Sequence, residues 1–170
     1  MAALRPRSLD FADTAPVQAE GTAVADGTPA EVWAVLTDNE RWPEWFGGGV
    51  TSCRNTSDPG TGVDATREVV LGKRRGLRFV ERFIAWDEGR LWAFTAIEAP
   101  GVVSGLVERC TITDEGAGRT RVTYRMACEP RAALRPLVPL LRAGVGRALT
   151  KAMESLAQQV VARRSAPAQR

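Results

Sequence analysis

With 170 residues and a mass of 18.4 kDa, the chain has room for one domain with a substantial core, and its 44% hydrophobic and 25% charged content is ordinary for a globular protein. The net charge of +3 is carried by scattered arginines, clustered only at Lys73-Arg74-Arg75 and Arg163-Arg164, which argues against a basic, aromatic-laced stripe for nucleic acid. Histidine is absent, which removes Ser-His and Cys-His catalysis and the commonest zinc ligand together, so neither a metal nor a cofactor is expected.

Residues 1–16 lack the apolar centre of a signal peptide and read as a loose leader, with a cytoplasmic location as the default. No apolar run reaches the roughly 18 residues a membrane span needs. "VQAEGTAVAD", Val17 to Asp26, is the first predicted strand. In "GTPAEVWAVLTDNERW" the helix signals are Thr28 as N-cap, Pro29 at the first helical position and Glu31 at capping-box spacing, with Val32, Val35 and Leu36 as the apolar stripe. The aromatic-rich "ERWPEWF", Glu40 to Phe46, follows. Pro43 is expected to end the helix by disfavouring the α conformation at Trp42, and Gly47 to Gly49 supplies a turn that few side chains can follow.

Strand-like runs then occupy Val50 to Arg54, Gly62 to Leu71, Gly76 to Trp86, Arg90 to Ile97, Gly105 to Thr113 and Arg119 to Glu129. Their short, turn-rich connections favour antiparallel neighbours in a meander. From Arg131 to Arg164 the pattern changes. Leu141, Val145, Leu149, Met153, Leu156 and Val160 recur at helical spacing, and Pro136 and Pro139 place the start of the uninterrupted helix near Pro139 or Leu140. Residues 165–170 read as a disordered tail. "LVPLLRAGVGRALTKAM" is also basic and amphipathic, but a helix with a sheet to cover needs no membrane, and no stable insertion is expected.

"TPAEVWAVLTDNERWPEWF" (Thr28 to Phe46), "FIAWDEGRLWAF" (Phe83 to Phe94) and "GRTRVTYRMACEP" (Gly118 to Pro130), followed by the long helix, resemble the START-like or SRPBCC superfamily, most closely its polyketide cyclase/dehydrase and lipid-transport group. The resemblance covers residues 17–163 and implies one α+β domain over 17–164. Its helix-grip fold has a curved antiparallel sheet of about six to seven strands around a long C-terminal helix, two short helices after the first strand, and an apolar cavity between sheet and helix. It also places Trp42 and Trp45 at one end of that cavity, either as a structural plug or as the lining of a ligand entrance.

Strand alternation sorts the cavity face. A two-residue Glu88-Gly89 turn pairs Asp87 with Arg90, sets Phe83 opposite Phe94 and Glu81 opposite Ala96, and puts Leu77, Phe79, Phe83, Trp92 and Phe94 inward, with Arg78, Val80, Arg82, Ile84 and Trp86 outward. On the last two strands Leu106, Glu108, Cys110 and Ile112 face inward with Val122, Tyr124, Met126 and Cys128. The Cys110–Cys128 separation is too long for a disulfide, so free thiols are expected. Glu81 and Glu108 then point into apolar space and need partners or protons; Arg67 falls about opposite Glu81. Each acid is either half of a structural pair or a polar anchor or general acid, and Tyr124 either meets a ligand or satisfies Glu108. Met126 and Met153 are core or adaptable lining. Gly144 and Gly146 mark either close packing or a soft segment of the helix.

The reading that results is a protein holding a small hydrophobic or lipid-like molecule, with Trp45, Arg67, Phe79, Glu81, Phe83, Trp92, Phe94, Glu108, Cys110, Tyr124, Met126, Val145, Leu149 and Met153 as candidate ligand contacts. The alternatives are a polyketide cyclase/dehydrase-type enzyme with Glu108, Tyr124 and Glu81 as catalytic candidates, and an interaction module with a filled core. Its state is monomer or homodimer.

Overall fold

A computed structural model describes residues 1–47, 49–72 and 76–165, without the side chains of Arg135, Leu137, Leu140 and Leu141. The predicted Lys73-Arg74-Arg75 turn, Gly48, nearly all of the 165–170 tail and the side chain of Leu141 therefore lie outside the described residues. In chain order the elements are β1 (Ala2–Ala3), α1 (Phe11–Thr14), β2 (Val17–Asp26), α2 (Pro29–Thr37), a 3₁₀ turn (Asn39–Arg41), α3 (Trp42–Trp45), β3 (Val50–Asn55) and β4 (Thr66–Leu71). Then come β5 (Leu77–Asp87), β6 (Leu91–Ala99), β7 (Val103–Gly116), β8 (Arg119–Pro130), a second 3₁₀ stretch (Ala132–Leu137) and α4 (Val138–Ser165). The strands form one antiparallel sheet in the order β2-β8-β7-β6-β5-β4-β3, with β1 added beside β6. No helix among the described residues is long and apolar enough to cross a membrane.

α2 starts where its caps put it. The Thr28 side chain accepts from the Glu31 backbone N–H, and the Glu31 carboxylate accepts from the Thr28 N–H at 2.7 Å. Its end corrects the sequence reading. The helix stops at Thr37, and Trp42 is itself α-helical, with Pro43 in the first turn of α3. Proline is tolerated there because the first-turn N–H groups have no partner within the helix. Gly47 and Gly49 both take positive φ, as the turn requires.

The β5–β6 hairpin differs by one residue. Asp87 pairs with Leu91 across a three-residue loop whose Gly89 sits at φ 75°, not with Arg90. A bulge between Phe83 and Ala85 absorbs the offset, so the predicted pairs Phe83–Phe94 and Glu81–Ala96 survive. Beyond the bulge Trp86 turns inward, edge-on to Phe83 and to Trp33 of α2. Leu77, expected inside, is exposed at the strand's start.

The first sixteen residues, expected as a loose leader, lie on the sheet's outer face. β6 and β7 pair only as far as Thr95–Val107, and β1 occupies the β6 edge beyond that point. The Arg7 backbone N–H donates to Thr95 Oγ1, the Arg7 side chain bridges to Glu129, and Asp13 accepts from both Arg109 and Arg125. Charge and hydrogen bonding seat this segment where hydropathy carries no signal.

α4 grips the inner face with Leu149, Met153, Leu156 and Val160, all nearly fully buried. Close packing occurs not at its glycines but farther along, where Leu149 and Thr150 cross Gly21 of β2. A Cβ on Gly144 would meet open space and one on Gly146 only an ordinary contact, whereas one on Gly21 would strike the α4 backbone. Gly144→Ala is accordingly expected to stabilise the fold by about 1 kcal/mol, read as a raised urea midpoint.

Candidate functional site

The β4–β5 register sets Arg67 directly across from Glu81, both on the inner face. Arg67 is 1% exposed. Its Nε donates to Glu81 Oε2 at 2.7 Å and its Nη1 to Asn39 Oδ1 at 2.9 Å, while Nη2 is buried without a partner among the described residues. The guanidinium sits 4.1 Å from the ring centre of Trp42 and 4.3 Å from that of Phe94, with Trp92 and Phe83 behind. Asn39 is held in turn by Asn55 at 2.6 Å, and Trp42 donates its Nε1–H to the Leu36 carbonyl at 2.8 Å. The "WPEWF" stretch is thus both a plug and a wall. Trp42 and Phe46 stack with centres 4.7 Å apart, and both line the hollow described below.

Farther across the sheet, on the β7–β8 pair, Tyr124 donates its hydroxyl hydrogen bond to Glu108. Burial, with the nearby Glu81 charge, pushes the Glu108 carboxyl up to about 8, so near neutral pH it keeps its proton. Burial also raises the Glu81 carboxyl, and Arg67 offsets that only in part. Burial works against the cation on Arg67, and Glu81 more than offsets that, so the guanidinium stays charged and the two form an ion pair. One cation, one anion and one neutral acid share the interior. Burial lifts the thiols of Cys53 and Cys128 to about 11 and raises that of Cys110 further; all three are free, as expected, and poor nucleophiles.

Beside these groups lies a hollow in two adjoining parts. The inner chamber, of about 140 Å³, is lined by Arg67, Glu81 and Glu108 at its polar end and by Trp42, Phe46, Val69, Phe79 and Leu106 elsewhere. The outer chamber, of about 320 Å³, runs between β2, β8, Leu134 and the first turns of α4, where Val138 and Val145 meet it. Val103, Met126 and Cys128 line both.

Of the candidate contacts, Arg67, Phe79, Glu81, Glu108, Met126 and Val145 border this hollow. Trp45, Phe83, Trp92, Phe94, Cys110, Tyr124, Leu149 and Met153 do not; they form the packed core behind it. Inward alternation selects a face, but along that face α2 and α3 pack over one end and leave the other beside the hollow. Sequence reasoning missed Asn39, Val50, Val69, Leu71, Val102 and Val103, and put Cys128 inward without making it a contact. Adjacent strands at the hollow would have pointed to Val69 and Leu71; for Asn39 the one signal was a polar residue flanked by a capped helix and an aromatic cluster.

A curved antiparallel sheet closed by a C-terminal helix, with an apolar hollow ending in a few polar groups, defines a START-like helix-grip protein. The chain belongs to the polyketide cyclase/dehydrase and lipid transport family, whose model matches residues 16–161. It is 29% identical to an uncharacterized protein of Mycobacterium tuberculosis over 161 residues, 95% of either chain. Its fold is similar to that of the Zhui aromatase/cyclase of a Streptomyces species, at a TM-score of 0.71 and 17% identity over 88% of this chain and 96% of that one. A START superfamily protein of Mycobacterium smegmatis aligns at 0.69 and 15% identity, over 84% and 98%. Norcoclaurine synthase of Thalictrum flavum aligns at 0.64 and 15% identity, over 87% and 96%.

Proposed function

We propose that this protein binds a small hydrophobic or lipid-like molecule, its apolar body in the outer chamber and its polar end against Arg67 and Glu108. The observation that carries this reading is Arg67 at the wall of a largely apolar hollow, with its Nη2 buried and without a hydrogen-bond partner among the described residues. Apolar burial supplies affinity at about 25 cal/mol per Å², before the costs of immobilising the ligand. Native mass spectrometry of freshly purified protein is expected to show a retained apolar molecule. Bare protein, together with no thermal shift across a panel of lipids and polyketides, would count decisively against binding.

A second reading, a cyclase/dehydrase-type enzyme, is favoured by one feature: a carboxylic acid protonated near neutral pH, at the same wall as a fixed cation. On this reading Glu108 donates a proton to a carbonyl oxygen that Arg67 polarises, and Tyr124 orients the acid from behind. Glu108→Gln should then abolish turnover with the fold intact; retained turnover removes Glu108 from the mechanism. The hollow itself speaks against a module with a filled core.

A further inference from the structure

An arginine at the end of an apolar pocket ordinarily suggests an anionic ligand. Here the charges are already matched. Arg67 is paired with Glu81 at 2.7 Å and held between four aromatic rings, so its charge is spoken for and its position fixed. Glu108, bonded by Tyr124, has no cation of its own among the described residues and sits there as a neutral acid. The inner chamber's lining therefore carries no net charge, and among the described residues the donors it leaves unmet are the buried Nη2 of Arg67 and, beside it, the proton of the neutral Glu108. Among the described residues, the outer chamber is walled without any charged side chain.

Resting on the binding reading above, we propose that the site selects a ligand whose inner end is an uncharged hydrogen-bond acceptor, such as a ketone, aldehyde or ester carbonyl, and rejects the carboxylate of the same chain length. The carbonyl oxygen takes the free N–H and leaves the charge balance untouched. A carboxylate takes the same N–H but adds a buried negative charge that no remaining cation offsets. An ammonium ion brings a second cation beside Arg67 and leaves Nη2 unmet. Glu81 is thus the residue that sets charge preference, by neutralising the arginine before any ligand arrives.

Calorimetric titration of the full chain near neutral pH with 2-octanone, octanoate and octylammonium separates these cases. The ketone is expected to bind about tenfold or more tighter than either ion. Glu81→Gln, which leaves the charge of Arg67 unmatched, is expected to turn the preference towards octanoate. Equal or tighter binding of either ion by the unaltered protein overturns the inference while leaving the binding reading in place. Failure of all three probes to bind removes both. If Glu81→Gln does not fold, the ranking on the unaltered protein decides alone.

Discussion

Gly21→Ala is expected to loosen the fold by about 3 kcal/mol or more, although it adds one methyl group to a strand. Gly21 lies on β2 opposite Tyr124, and α4 crosses directly above it. A Cβ at this position would fall 2.2 Å from both Leu149 C and Thr150 N. These are main-chain atoms, so no rotamer relieves the clash; the helix must rise from the sheet. Rising would strip contacts from Leu149, Met153, Leu156 and Val160, and would shift Val145 at the outer chamber. The measurement is the urea midpoint, set beside Gly144→Ala. The same change, made once where strand and helix touch and once where the helix meets open space, should act with opposite sign. Unaltered stability in Gly21→Ala would show that the helix does not lie this close.

Stability is also expected to fall as pH rises from about 5 to 8, and Glu108→Gln should abolish most of that fall. The Glu108 carboxyl stands at about 8 in the fold against an ordinary 4.5, because burial and the Glu81 charge disfavour its ionised form. Between those values the native chain holds a proton that the unfolded chain has released. The stabilisation is therefore whole below about 4.5 and is lost as pH climbs through 8, at about 1.4 kcal/mol per pH unit. The window is unusually clean, since the chain has no histidine and no side chain of ordinary pKa titrates there. At the acid end the trend reverses. Asp13 is held low first by Arg109, Glu31 by the Thr28 backbone N–H and Glu68 by Arg78, and these contributions fade as pH drops through the carboxylate range. Thermal denaturation at pH steps from about 3 to 8 checks both signs. A flat profile in the unaltered protein would mean that Glu108 is ionised or solvated.

What could be read from the chain was whatever repeats locally. Thr28 and Glu31 cap a helix through atoms three residues apart, and the two-residue period of Arg119 to Glu129 turns Val122, Tyr124 and Met126 inward without reference to anything distant. Even the Arg67–Glu81 and Tyr124–Glu108 pairs follow from counting across short turns, because hairpin register is a local property. The hairpin at Glu88 to Arg90 departs from that count because of a bulge that no periodic pattern announces.

The tertiary structure alone decided which inward residues meet empty space and which meet one another. Phe83, Trp92 and Phe94 share a face with Phe79 and Glu81, yet α2 and α3 close over the first group and leave the second beside the hollow. Gly21 stood unremarked inside a strand, although glycine in such a place often marks a close backbone approach. The leader reads as loose by composition and is seated by Arg7 and Asp13 through partners about a hundred residues away. Periodicity fixes the direction of a side chain relative to its own backbone. A cavity is the volume left over where distant backbones fail to touch, and only their joint placement can define it.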